Sequence, residues 1–168
     1  MVIQIGVRLV LLVAIGATIG CDRVTKHVAA TTLSEMPRQS FLADTFRLEY
    51  VENTGAFLGL GAEWPRPVRT AVFGVGNGLL LVALVVVAMR DRWSGQALLG
   101  VALFAAGGAS NLVDRITHGM VIDFMNVGIG PLRTGIFNVA DMAIVLGATF
   151  LALEGYRSER RVSPKDAG

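Results

Sequence analysis

Three aspartates stand beside apolar runs, where an ionised side chain is costly. Asp141 opens a nearly unbroken apolar stretch that ends near Leu153. That stretch is about 20 Å long at 1.5 Å per residue. In a hydrocarbon core of about 30 Å it leaves Asp141 roughly 10 Å below one face. An aspartate at a membrane helix centre costs about 2.5–3.5 kcal/mol, so such a residue is a candidate for function. Asn138, three residues earlier, shares its helix face and can orient the carboxylate. Asn111, Asp114 and Arg115 form a second group at the end of another apolar run, with Asn111 on the side of both charged neighbours. Asp123 lies in the apolar pentapeptide Val121-Ile122-Asp123-Phe124-Met125. Two carboxylates at one site of low dielectric cannot both ionise easily, so one keeps its proton while the other acts as base. Asp123 and Asp141 are the natural pair for a hydrolase that activates water, because Asp114 adjoins Arg115 and reads as ion-paired. The same residues leave two other readings open: a proton or solute transporter, and a structural membrane protein whose acids bond neighbouring helices.

The elements that must position these groups follow from composition. The chain has 168 residues, 53% hydrophobic and 17% charged, against roughly 25% charged in soluble domains. Its mean hydropathy is +0.59, more apolar surface than one small soluble core can hide. The composition therefore predicts an all-α membrane protein of a single domain over residues 1–168. Spans are expected at about residues 5–21, 70–89, 96–113 and 136–153. Between them lie outer segments at about residues 22–69 and 114–135, and a cytoplasmic tail at about residues 157–168. Basic residues packed beside the span ends, counted by the positive-inside rule, place both termini in the cytoplasm. In the first outer segment Phe46, Leu48 and Tyr50 alternate with Arg47, Glu49 and Val51, which predicts a short strand pair on the membrane surface. Gly128, Gly130, Pro131 and Gly135 predict irregular chain in the second.

Other features carry less. The net charge of +2 comes from basic residues scattered without interleaved aromatics, which argues against nucleic acid. One cysteine excludes a disulfide framework and a Cys-rich zinc module. The run up to Cys21 could be a lipoprotein signal peptide, but Thr18 and Ile19 fit its cleavage box poorly and three more spans follow. His27 and His118 each stand alone and read as interfacial. Residues 74–78, Gly-Val-Gly-Asn-Gly, read as small residues for helix packing, not a nucleotide loop. Residues 57–60 form an apolar tip flanked by glycines. Trp64 and Trp93 read as interface anchors, and residues 157–161 as a frayed tail held to anionic lipid.

Five blocks together resemble the bacterial lipoprotein signal peptidase (signal peptidase II) family. They are Asp22-Arg23-Val24-Thr25-Lys26, Asn53-Thr54-Gly55-Ala56-Phe57, the segment from Gly107 through Asn111 to Asp114-Arg115, Gly119-Met120-Val121-Ile122-Asp123-Phe124, and Phe137-Asn138-Val139-Ala140-Asp141. They occur in family order from the first span to the fourth. The resemblance implies a four-helix intramembrane aspartic peptidase of the bacterial inner membrane, with a small extracytoplasmic β-rich cradle and a short interfacial amphipathic segment. It implies cleavage of prolipoproteins on the amino side of a diacylglyceryl-modified cysteine, with membrane lipid around a monomeric enzyme and no metal or organic cofactor. Asp123 and Asp141 fall on the family's catalytic aspartates. Asp22, Lys26, Asn53, Gly55, Asn111, Arg115 and Asn138 fall on positions that shape or support the substrate site, and Asp114 on a supporting one. Three positions depart from the pattern. Arg23 stands where glutamine is frequent, Ser110 where glycine is usual, and Cys21 where a larger apolar residue is expected.

Overall fold

Long apolar runs without internal proline wind as helices, and four of them carry the structure. The computed structural model describes residues 2–55, 61–90 and 93–162. Helix α1 spans Val2–Thr32, α2 Arg66–Arg90, α3 Gly95–His118 and α4 Val139–Val162. Three of them, Arg66–Arg90, Gly95–His118 and the Val139–Arg157 part of α4, are long and apolar enough to cross a membrane among the described residues. The chain is a multi-pass membrane protein. Within α2, Thr70–Gly76 is wound as a π-helix, a feature that recurs beside functional sites. The apolar tip expected at residues 57–60 lies outside the described residues.

Two helices run well past their expected spans. α1 continues through Asp22, Arg23 and Lys26 to Thr32, and α3 continues through Asp114 and Arg115 to His118. Hydropathy marks where a helix leaves lipid, not where its backbone unwinds. Lys26 therefore sits one turn from Asp22 on the same helix face. The expected frayed tail is likewise helical to Val162, and Arg157 Nη1 donates to Gln96 Oε1 at 2.6 Å, which sets the far end of α4 beside the start of α3.

Glycines let α3 and α4 approach backbone to backbone. A Cβ on Gly147 would lie 2.6 Å from both the Gly100 carbonyl oxygen and the Phe104 nitrogen, and one on Gly107 would strike the Ala140 carbonyl. Such contacts suit association in lipid, where packing replaces the hydrophobic drive between helices. The expected packing glycines at residues 74–78 do less. Gly74 and Gly76 meet little, and Gly78 makes an ordinary contact with Leu112.

The outer segments meet in one antiparallel sheet of order β1-β2-β3-β4, with β1 at Gln39–Phe41, β2 at Phe46–Asn53, β3 at Val121–Ile129 and β4 at Leu132–Arg133. The expected pair within the first segment is thus only its edge. β2 pairs chiefly with β3, from the segment expected to be irregular. The glycines there are compatible with strand because Gly128 itself pairs with Arg133. Gly119 ends α3 with φ of 76°, its N–H donating to the Arg115 carbonyl, a left-handed cap that needs no Cβ. Two residues later β3 begins. A register shift between Leu48 and Val51 places Val51 opposite Asp123, and bulges of this kind re-aim side chains beside active sites. Arg133 donates to the Asp44 carbonyl at 2.7 Å and ties β4 to the β1–β2 turn. Arg47, bonded to Asp44, holds that carboxyl well below the ordinary carboxylate range.

Gly147→Ala is expected to cost about 1–3 kcal/mol through overpacking, whereas Gly16→Ala, with nothing within 4 Å of its added Cβ, should cost nothing. Thermal unfolding of the two variants in one detergent checks the difference.

Candidate functional site

The site grows from the start of α4. Asn138 and Asp141 cap it reciprocally: Asp141 N–H donates to Asn138 Oδ1 at 2.9 Å, and Asn138 N–H to Asp141 Oδ2 at 3.1 Å. This is a capping box with Asn and Asp in place of the usual Ser/Thr and Glu. The next free helix N–H, on Ala140, donates to Asp22 Oδ1 of α1 at 2.9 Å. Phe137 pairs with Met125 through hydrogen bonds in both directions. That bridge brings the start of α4 alongside β3 and Asn138 up to Asp123.

Asn138 then joins the two acids. Its Nδ2 donates to Asp123 Oδ1 at 2.6 Å, while its backbone N–H holds Asp141. Asn53 Nδ2 donates to Asp123 Oδ2 at 2.8 Å, and Asn53 Oδ1 accepts from Gly55 N–H at 2.9 Å. The Gly55 carbonyl accepts from Arg115 Nη2 at 2.7 Å, so Arg115 braces the loop that presents Asn53. Burial, with the nearby Asp141 charge adding to it, pushes the Asp123 carboxyl up to about 6, against the hydrogen bonds from Asn53 and Asn138.

Behind the acids lies a buried charge cluster. Lys26, 4% exposed, donates at 2.7 Å to each of Asn111 Oδ1, Asp114 Oδ2 and Asp22 Oδ2. With its Oδ1 committed to Lys26, Asn111 turns Nδ2 to Asp141 Oδ1 at 2.8 Å. Arg23 pairs with Asp114 and donates to the Ser110 carbonyl. Ser110 Oγ donates to Asp22 Oδ2 at 2.6 Å. Four aspartates here share three cations, Lys26, Arg23 and Arg115. The cluster is balanced when one aspartate holds a proton and carries an uncompensated charge when none does.

All ten residues singled out from the sequence converge on this region. Ser110 and Arg23 were legible there only as departures from a pattern, and their hydrogen bonds to the cluster were not. The role of Asp22 as a cap for α4 had no signal, because its partner Ala140 is 118 residues away. His27 and His118 hold none of the carboxylates, although both border a cavity beside Arg23 and Lys26. Among the described residues no group of three His, Cys, Asp or Glu is arranged to hold a metal ion. The two central acids open into different spaces. Asp141 ends a cleft of about 490 Å³ lined by Val72, Phe73, Leu80, Ile144 and Val145. Asp123 faces a cavity of about 260 Å³ on the sheet side, with Val51, Asn53 and Ile136.

The model of the family described as "Signal peptidase (SPase) II" matches residues 14–157. A protein of Syntrophomonas wolfei named lipoprotein signal peptidase is 37% identical over 83% of this chain and 90% of its own length. Another of that name, from Syntrophus aciditrophicus, is 32% identical over 90% of this chain and 95% of its own. A bacterial membrane enzyme solved by the in meso method superposes with a TM-score of 0.80 over 95% of this chain and 94% of that one, at 22% identity.

Replacing Lys26 with Met leaves Asp22 and Asp114 buried with a cation removed, a loss of about 3–5 kcal/mol. Adding Asp114→Asn to Lys26→Met should recover part of it. Unfolding of both variants by denaturant measures the effect, and equal stability of Lys26→Met and wild type would contradict the hub role of the ammonium.

Proposed function

From the premise that this chain belongs to the signal peptidase II family, a family of membrane proteases, we propose that it cuts diacylglyceryl-modified prolipoproteins on the amino side of the lipidated cysteine, using Asp123 and Asp141 as a dyad. Removal of signal peptides from prolipoproteins is the activity the family carries. The observation that supports the dyad is Asn138, which holds one oxygen of each acid.

In the mechanism the pair shares one proton. Asp141 stands in the first turn of α4 and Asp123 on β3, where burial raises it; the shared proton belongs to the pair and to neither acid alone. The ionised member takes a proton from a water molecule as its oxygen attacks the scissile carbonyl carbon. The protonated member gives its proton to the carbonyl oxygen, forming a neutral gem-diol. On collapse the carboxylate that gave up its proton takes one from the gem-diol as the carbonyl reforms and the C–N bond breaks, and the other carboxyl gives the departing amine the proton it took from water. The two titrate as a unit. Asn111 and Asn53 aim the carboxylates. Asp22, Lys26, Asp114 and Arg115 keep the surrounding charge balanced, and Gly55 carries the brace from Arg115. The apolar cleft beside Asp141 suits lipid and the signal helix, and the cavity beside Asp123 suits the polar chain beyond the cysteine.

The same reading makes residues 1–168 one membrane domain, with the apolar part of α1 at residues 5–21 as a fourth span. Both termini lie in the cytoplasm of a bacterial inner-membrane protein, with the sheet and the site on the outer side. It acts as a monomer among membrane lipids and needs no metal, organic cofactor or nucleic acid. Arg90 and Arg157 at the end opposite the site fit that orientation.

Purified protein in liposomes, given a diacylglyceryl-modified prolipoprotein, should release the signal peptide. Asp123→Asn and Asp141→Asn should each lower the rate by about 10²–10⁴-fold with the fold retained by circular dichroism. Full activity in either variant removes the dyad, and equal cleavage of an unmodified prolipoprotein removes the lipid requirement. The rate should also follow a bell against pH. The acid limb is protonation of the base, and the alkaline limb is loss of the shared proton. That alkaline limb lies above the ordinary carboxylate range, starting from the value of about 6 that burial gives Asp123. A profile flat from pH 4 to 8 contradicts a shared proton.

A further inference from the structure

A second cavity, of about 350 Å³, adjoins the apolar cleft and is lined by three arginines, Arg66, Arg69 and Arg115, together with His118. Phe73 and Arg115 line both spaces. No carboxylate lines it among the described residues, and neither Arg66 nor Arg69 forms an ion pair there. Arg69 is held in place by its bonds to Thr54 Oγ1 at 2.8 Å and the Ala62 carbonyl at 2.9 Å. Arg66 makes no side-chain bond within the described residues and is exposed. Arg66 and Arg69 stand in the first turn of α2, and His118 is the last residue of α3. The basic cavity is thus at the level where two membrane helices reach the headgroups. The apolar cleft below it opens toward lipid through exposed Val72, Leu80 and Val145.

We propose that between substrates this pair of spaces binds one anionic phospholipid, with its phosphate at Arg66 and Arg69 and an acyl chain in the cleft, which on the reading above the substrate's own lipid takes over. The charge is complementary: the Arg66 and Arg69 guanidinium groups, without carboxylate partners among the described residues, match phosphate oxygens as forks. The shape is complementary too, because a polar, cationic chamber continues into an apolar one, as an anionic headgroup continues into its chains. A soluble anion would use the first chamber and leave the second empty. Arginines that merely reach the headgroup layer also attract anionic lipid, by about 1 kcal/mol each, but that attraction does not depend on the apolar cleft.

Trp64 provides the reporter, since it stacks on Phe73 with ring centroids 5.6 Å apart. With Trp93→Phe as background, the protein is placed in phosphatidylcholine vesicles containing a fixed fraction of bromine-labelled phosphatidylglycerol, or the same fraction of labelled phosphatidylcholine. Labelled phosphatidylglycerol should quench Trp64 with a relative association constant about fivefold or more above phosphatidylcholine. Leu80→Phe, which fills the cleft and changes no charge, should reduce that ratio; a ratio unchanged by Leu80→Phe is surface attraction alone and overturns the site. Arg66→Gln, which breaks no bond within the described residues, should reduce the ratio, and Arg66→Gln with Arg69→Gln should bring it near one. Equal quenching by the two lipids in the unsubstituted arginine background overturns the site, as does a preference that survives both substitutions. In a further arm inorganic phosphate is added at constant ionic strength. If it abolishes the preference as fully as the double substitution does, the cavity takes a free anion and the lipid is overturned; a preference that persists supports the lipid.

Discussion

The Lys26 ε-ammonium is buried against three oxygens at 2.7 Å, from Asp22, Asn111 and Asp114, and the rest of the site depends on that contact. An unpaired ammonium so deep would cost several kcal/mol. Paired on all three sides, it draws α1 onto α3. Each oxygen it holds has a further task. Asp22 caps α4, Asn111 turns its amide to Asp141, and Asp114 takes Arg23. One cation thereby sets the orientation of groups on three helices.

The start of α4 is the second constraint. A helix N-terminus offers N–H groups without intrahelical partners, and here side chains of Asn138 and Asp22 accept from two of them while Asp141 accepts from the capping residue itself. An acid placed there is stabilised by the helix and also held still, so its carboxylate is preorganised. Asp123 reaches the same point by another route, on a strand whose partner carries a bulge. The proposed pair thus joins an acid at a helix N-terminus to one on a strand, both withdrawn from water. Two carboxylates so placed do not both ionise easily, and that is what a shared proton requires.

Ser110 and Arg23, two of the three departures from the family pattern, lie on one hydrogen-bonded path. Arg23 donates to the Ser110 carbonyl and pairs with Asp114, and the Ser110 hydroxyl donates to Asp22. An arginine adds a cation where two acids, Asp22 and Asp114, face the single ammonium of Lys26, and a serine supplies a donor to the acid that caps α4. The two substitutions support neighbouring carboxylates, Arg23 that of Asp114 and Ser110 that of Asp22, both bonded to Lys26.

The sequence by itself determined the membrane class, the apolar runs that wind as helices, and the acids at their ends. These are local properties: hydropathy, periodicity and the cost of a charge are read within a turn or a span. The nearness of Asn138 to Asp141 was visible in the same way, as a spacing of three; that Asn138 caps the helix was not, because the apolar run does not mark its first residue. Helix ends were not, because α1 and α3 stay helical after their residues turn polar. The partnership of β2 with β3 was decided by tertiary structure, since alternation marks a strand without naming its neighbour. So were the bonds from Lys26 to Asn111 and from Asp22 to Ala140, across 85 and 118 residues. Those contacts depend on the rotation and separation of packed helices. That geometry was set where Gly100, Gly107 and Gly147 let two backbones meet, a property of two surfaces together and of neither alone.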